Sequence, residues 1–257
     1  MCIAQTCKIT QDGFSLLIIL NLSVIFLKIR MEIALVIFTK NERENLGEIF
    51  DKIPLKSVDA VYAVDANSTD GTREYFEKRK IKIFGQKYQG IGGAFESAFR
   101  NIKADALVIF HPDGNMNPKD IESFVKRLKN GEEFIVASRM IKGARNEEDN
   151  DFLKPRKWFN ILLATLTNLL WGRYGNKCTD IVQGFRAIRC DTYRKLKIKK
   201  PHPIGPEYEQ VIKALKLGVR ITEFPTIEKP RKYGETTMPS FKTGWGNIEV
   251  FLSGFSN

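Results

Sequence analysis

From Met31 onward the chain alternates short apolar runs with amphipathic stretches, and this alternation restricts the fold more than any other feature. Ile33-Ala34-Leu35-Val36-Ile37-Phe38 is apolar at every position, as in a strand covered on both faces. Residues 42–53 then carry Leu46, Ile49, Phe50 and Ile53 at helical spacing. The same reading places strands at 59–65, 81–84, 106–110 and 134–137, with helices at 71–80, 90–102 and 118–128. Strand–helix repeats of this length are βαβ units. They predict an α/β fold: a mostly parallel central sheet flanked by helices, in a single domain. Residues 207–217 and 245–252 read as further helices, and 220–224 as a strand. Residues 158–171, with a Trp at each end, read as a helix for core or subunit packing, with a lipid interface as the alternative.

Composition narrows the function. Lys and Arg number 41 against 30 Asp and Glu in 257 residues, a formal charge of +11, which suits anionic partners or an anionic membrane surface. The basic residues are scattered rather than interleaved with aromatics on one face, so no nucleic-acid partner is expected. Two histidines, His111 and His202, exclude a His-rich metal centre and leave little room for a Ser-His-Asp site. Four cysteines without a C-x-x-C pattern read as free thiols in a reducing compartment. Residues 14–27 are largely apolar but short for a membrane span, and no basic leader precedes them. Residues 1–30 are therefore expected to be an extension outside the fold, with 31–240 as the domain and 241–257 as a C-terminal helix or tail.

Parallel α/β sheets bind ligands at the carboxyl ends of their strands. Here those ends carry Thr39-Lys40-Asn41-Glu42, then Asp65-Ala66-Asn67-Ser68-Thr69-Asp70-Gly71-Thr72, then His111-Pro112-Asp113-Gly114-Asn115, then Ser138-Arg139. Gly90-Ile91-Gly92-Gly93-Ala94 lacks the spacing of a dinucleotide fingerprint, and the chain has neither a P-loop nor a G-x-S-x-G elbow.

In order and spacing these segments resemble the inverting family 2 glycosyltransferases of GT-A fold, in particular their dolichyl-phosphate mannosyltransferase-like branch. Asn41-Glu42 matches the family's first strand end, and Asp65 its second. Ser68, Asp70, Gly71 and Thr72 match S-x-D-G-T, and Gly90, Gly92 and Ala94 match the glycine-rich turn. The metal motif D-x-D-G-[QN] reads His111-Pro112-Asp113-Gly114-Asn115, so a histidine replaces the first acid. Ser138-Arg139 matches G-S-R, Gln183-Gly184-Phe185-Arg186 matches S-G-F-R after Asp180, Glu207-Tyr208-Glu209 an acidic helix motif, and Arg231 to Thr236 matches R-x-x-G-x-[ST].

The resemblance implies a nucleotide-diphosphate sugar donor held by Asn41, Glu42, Asp65, Asn67, Ser68, Asp70, Gly90, Gly92 and Asp113. It implies a divalent cation, Mn²⁺ or Mg²⁺, on His111, Asp113 and Asn115. Asp113, Arg139 and Arg231 would carry catalysis, Arg231 by clamping the diphosphate. Ser138, Arg139, Arg156, Gln183 and Arg186 would hold a polyprenyl-phosphate acceptor, which is nucleophilic without a strong base. Such an enzyme would work at the cytoplasmic face of a membrane, bound peripherally. The alternatives are transfer to a sugar hydroxyl of a growing glycan, with Glu207 or Asp180 as base, and a non-catalytic nucleotide-sugar-binding relative.

Overall fold

The structure is a computed structural model that describes residues 31–230 and 240–256. The expected extension at 1–30 and the Arg231–Thr236 motif lie outside the described residues.

In chain order the first half contains β1 (Ile33–Thr39), α1 (Arg43–Ile49), β2 (Ala60–Asp65), α2 (Thr72–Glu77), β3 (Lys82–Gly85), α3 (Ile91–Asn101), β4 (Ala106–Phe110), α4 (Asp120–Lys129) and β5 (Phe134–Ser138). The second half contains α5 (Pro155–Trp171), β6 (Arg186–Arg189), α6 (Cys190–Lys195), α7 (Pro206–Lys216), β7 (Ile221–Pro225) and α8 (Ser240–Ser253). Helix α1 stops four residues short of the expected end. A 3-10 turn at Phe50–Lys52 follows it, because Pro54 disfavours helical backbone at Ile53.

The strands form one seven-stranded sheet in the order β3-β2-β1-β4-β6-β5-β7. β1 is buried at every position and lies parallel to both neighbours, Val36 opposing Tyr62 on one side and Ile109 on the other. β6 runs antiparallel between β4 and β5, with Ala187 opposite Val108 and Ile135. Sequence periodicity did not reveal β6, since its four residues Arg186-Ala187-Ile188-Arg189 begin and end in arginine. Nor did it reveal α6. The sheet is thus mostly parallel, with one reversed strand. That reversal positions the site: the segment entering β6, around Gln183, arrives at the same edge as the carboxyl ends of β1, β2 and β4.

Among the described residues, two apolar clusters hold layers of the fold together. Ala34, Val36, Val64, Phe95 and Ile109 pack beneath α3. Phe134, Val136, Leu163, Tyr208, Leu215 and Val250 join α5, α7 and α8 to the other half of the sheet. Burying each large apolar side chain contributes about 1.5–3 kcal/mol. Helix α5 forms where expected, but it is oriented unusually. Asn160 and Thr167 are buried beside Leu163 and Ala164, whereas Ile161, Leu162, Leu169 and Leu170 are exposed.

Candidate active site

A cleft of about 890 Å³ opens at the carboxyl ends of β1 and β2. Thr39, Lys40, Glu42, Ala66, Asn67 and Gly90 line it, with His111 and Asp113 at one end and Pro203, Ile204, Lys242 and Thr243 on the opposite wall. Its floor is made by two loops fastened to each other. The backbone N–H of Asn41 donates to Ser68 Oγ (2.9 Å), that of Glu42 to Thr72 Oγ1 (2.9 Å) and that of Arg43 to Asp70 Oδ2 (2.9 Å). Asn41 Oδ1 accepts from Thr69 N–H at 2.9 Å. Asn41 and Asn67 both adopt left-handed backbone, with φ of 56° and 58°, which short amide side chains tolerate.

Asp65 is wholly buried, and its oxygens accept from Ser68 N–H (3.0 Å), Ser68 Oγ (2.5 Å), Arg73 Nη1 (3.1 Å) and Thr39 Oγ1 (3.3 Å). Partial burial would raise the pKa of Asp70, but hydrogen bonds from the Thr72 hydroxyl and from the Arg43 and Thr72 amides outweigh it and lower the pKa. Asn41, Asp65, Ser68 and Asp70 were expected to touch the donor directly. Their side chains are engaged within the two loops, Asp65 with Ser68, Asn41 with Thr69 N–H and Asp70 with Thr72 and Arg43 N–H, while Glu42 and Asn67 line the cleft. The glycines also have a packing reason. A Cβ on Gly90 would lie 2.2 Å from Pro203 O, and one on Gly92 would lie 2.4 Å from His202 O.

The loop after β4 is where the two halves meet. Asn115 N–H donates to Asp113 Oδ1 at 3.2 Å, and both residues line the smaller of two clefts. Asn115 Oδ1 is buried and has no hydrogen-bond partner among the described residues. Lys229 N–H donates to Asn115 O at 3.1 Å, fixing the loop from the other side. His111 packs edge-on against Phe38, with ring centroids 5.5 Å apart. Its Nε2 would lie 3.1 Å from any Cβ at Gly184, so the glycine admits the ring.

Among the described residues, no group of three or more His, Cys, Asp or Glu side chains converges as a metal cage. What converges is one carboxylate, one unsatisfied amide oxygen and an imidazole. Hard oxygen donors in that number fit Mg²⁺ or Mn²⁺ when substrate phosphates and water complete the coordination.

A second cleft of about 280 Å³ adjoins the first, and His111 and Asp113 line both. Its other walls include Asn115, Arg139, Glu147, Gln183, Glu207 and Glu228. Arg139 makes a two-pronged pair with Asp180, Nε to Oδ2 at 2.7 Å and Nη2 to Oδ1 at 2.9 Å, and its Nη1 reaches Glu228 at 2.8 Å. Burial disfavours the Arg139 charge, yet the Asp180 and Glu228 carboxylates outweigh it and hold the pKa above the ordinary guanidinium value. The same pairing keeps buried Asp180 ionised against the effect of burial.

Glu207 differs. It is 6% exposed, and burial pushes its pKa up to about 7, with only partial relief from the Arg186 charge. The pKa of Glu147 is raised too, by burial first and the Glu228 charge second. Four carboxylates therefore line this cleft against one arginine that is already paired, an electrostatic setting that favours a cation.

Arg186 and Ser138 do not reach it as expected. Arg186 is fully buried and spends its guanidinium on Gln183 O, Glu207 O and Gln210 Oε1, which is how an arginine can stand inside the sheet. Ser138 is fully buried against Thr179 Oγ1 at 3.0 Å. Arg156 is exposed at the rim, paired with Glu147 and Glu148 at 2.8 Å each. Gln183 lines the cleft, although its Oε1 accepts from Phe185 N–H at 3.0 Å. Glu147 and Glu228 are site residues that sequence reasoning did not reach. The acidic run Asn146-Glu147-Glu148-Asp149, folded into a capping box, was the available signal for the first.

The family model described as glycosyl transferase family 2 matches residues 34–197. An undecaprenyl-phosphate mannosyltransferase from Micrococcus luteus is 26% identical over 235 residues, covering 86% of this chain and 93% of that one. A dolichol-phosphate mannosyltransferase from Pyrococcus furiosus is 27% identical over 220 residues, covering 81% of this chain and 59% of the relative. Among solved structures, glucosyl-3-phosphoglycerate synthase from Mycobacterium tuberculosis, in complex with Mn²⁺, UDP and phosphoglyceric acid, superposes with a TM-score of 0.68 at 19% identity. That match covers 88% of this chain and 79% of the other, and it shows that the two share a GT-A fold.

Proposed function

The chain belongs to glycosyl transferase family 2, and from that premise we propose that it moves a hexose from a nucleotide-diphosphate sugar to a polyprenyl phosphate at a membrane surface, with inversion. One observation carries the reading: His111 and Asp113 form a wall common to two adjoining clefts, one large enough for a donor and one beside it for an acceptor. The named activities of the Micrococcus and Pyrococcus relatives support the acceptor class. The domain itself we take as residues 31–240.

In this scheme Glu42 and Asn67 contact the nucleoside end of the donor, and Asp113 with Asn115 directs oxygens toward the diphosphate. A divalent cation bound there would neutralise charge on the leaving diphosphate as a Lewis acid. Arg139 is held by Asp180 and Glu228, and an acceptor phosphate would engage it by displacing Glu228 from its Nη1. The acceptor oxygen is already ionised, so no side chain need remove its proton.

The test is thermal stabilisation and turnover with UDP- and GDP-sugars in the presence of Mn²⁺, for wild type and Asp113→Ala. The variant is expected to keep its melting temperature without ligand and to lose turnover by about 100-fold or more. Turnover within about threefold of wild type would remove Asp113 from the site.

Transfer to a sugar hydroxyl is a second reading, favoured by Glu207. A buried carboxylate in the acceptor cleft, with its pKa raised to about 7, is suited to accept a hydroxyl proton. Glu207→Gln separates the two readings. With a polyprenyl phosphate the variant should turn over within about threefold of wild type, whereas a hydroxyl acceptor needing the base would slow by about 100-fold or more.

A further inference from the structure

Arg139 is held unequally on its two sides. Asp180 is fully buried and grips it through Nε, Nη2 and the backbone N–H, at 2.7, 2.9 and 2.9 Å, and Asn160 Nδ2 backs the same carboxylate at 2.9 Å. Glu228 touches it once, Oε1 to Nη1 at 2.8 Å, from the wall of the smaller cleft. The other oxygen of Glu228 is engaged elsewhere: Oε2 accepts from Asn146 Nδ2 at 3.0 Å and from Glu147 N–H at 3.2 Å. The backbone that carries Glu228 is fastened at three points. Thr226 N–H donates to Ser138 O at 3.0 Å, Glu228 N–H to Arg145 O at 2.9 Å and Lys229 N–H to Asn115 O at 3.1 Å. Oε1 can therefore leave Nη1 by side-chain rotation, with the backbone in place and with Asn146 and Glu147 still offering donors to the carboxylate.

Charge decides what this arrangement does. Arg139 brings one positive charge, and Asp180 and Glu228 bring two negative ones, so the closed trio is net negative. The other acids on the wall, Asp113, Glu147 and Glu207, do not reverse that sign; Glu147 is paired with Arg156 at 2.8 Å, and Arg186, beside Glu207, is fully buried. Arg139 is the only Arg or Lys among the described residues that line this cleft. An anion cannot simply add to such a surface. It can exchange with the carboxylate already on Nη1, which presents the kind of oxygen edge that a phosphate would. We propose that Glu228 is a built-in competitor for the acceptor seat: its carboxylate occupies the guanidinium edge that an acceptor phosphate takes, and so sets how tightly that phosphate binds. The proposal rests on the reading of Arg139 as the residue that meets the acceptor phosphate, and deepens it. A seat open only about a tenth of the time binds its ligand about tenfold more weakly than one always open. A neutral ligand that makes no use of Nη1 meets no such competition.

The experiment is equilibrium binding to the full chain by titration calorimetry, without sugar donor. The probes are farnesyl phosphate, inorganic phosphate and farnesol, and the proteins are wild type, Glu228→Gln and Glu228→Ala. Glutamine has one acceptor oxygen where the carboxylate has two, so it cannot serve both Arg139 and the Asn146–Glu147 donors, and alanine serves neither. Both variants should bind farnesyl phosphate about tenfold more tightly than wild type, and inorganic phosphate more tightly by a similar factor. Farnesol should bind all three proteins within about twofold of one another. An unchanged melting temperature checks that the fold persists.

Weaker binding of farnesyl phosphate by both variants would overturn the proposal and make Glu228 a brace that holds Arg139 in place for the acceptor. Unchanged affinity would overturn it too, and so would an equal gain for farnesol, which would assign the effect to a roomier cleft. A gain confined to inorganic phosphate would support the competitor and assign the seat to free phosphate rather than to a lipid-linked one. Turnover of farnesyl phosphate with a sugar donor is measured separately. Tighter binding by the variants without turnover removes the transferase reading and leaves the competitor standing, whereas turnover with unchanged binding does the reverse.

Discussion

Glu207 stands in the first turn of α7, with its carboxylate in the smaller cleft, where the Arg186 charge and its own backbone amide offset burial only in part. Its folded pKa of about 7 lies above the ordinary 4.5. Below the ordinary value both folded and unfolded chains are protonated, and the group costs nothing. As pH rises toward 7 the unfolded chain ionises first, so folded stability falls by about 3 kcal/mol across that window. Glu207→Gln removes the slope. Urea unfolding in chelator-containing buffer between about pH 4.5 and 8 should show the variant gaining on wild type by that amount. Parallel stability curves would mean that Glu207 ionises normally. Asp65, Asp70 and Arg186 teach a complementary point about legibility. Sequence picks out Asp65 and Asp70 in the loop after a strand and Arg186 through a family motif, and it cannot tell whether a side chain faces a ligand or a neighbouring loop. Asp65 and Asp70 turn to Ser68 and Thr72, and Arg186 turns to backbone carbonyls.

Element by element, the fully covered strands were readable and the mixed ones were not. β1, β4 and β5 are buried at every position and appear in the sequence as unbroken apolar runs. β6 hides because Arg186 and Arg189 frame two apolar residues, and its antiparallel direction leaves no mark in composition. The loop after β4 was picked out by its family order and spacing after a buried strand, and in the structure His111, Asp113 and Asn115 line one cleft. The turn into α3 was legible as glycine-rich, but its reason was not. Gly92 and Gly90 admit the carbonyls of the 201–203 segment, which comes from more than a hundred residues later. Gly92→Ala should therefore lower stability by about 1–3 kcal/mol through overpacking, despite the better helix propensity of alanine. A melting temperature equal to or above that of wild type would show that the segment can move aside without cost.

At the scale of the whole molecule, charge and shape agree. A chain of formal charge +11 carries a cleft lined by four carboxylates, so its excess positive charge lies outside that cleft. The sheet order has a further consequence, for the history of each newly made molecule. β4 rests between β1 and β6, although β5 is the strand that follows it in the chain. While the chain emerges from the ribosome, β1 through β4 can pair at once. The outer edge of β4 then stays bare until the chain has been made through Arg189. During that interval the edge can accept a wrong strand, either β5 in the seat reserved for β6 or a strand of another nascent chain. The late, arginine-framed β6 therefore also acts as a closing piece, and its arrival both seals the sheet and brings Gln183 and Gly184 to His111.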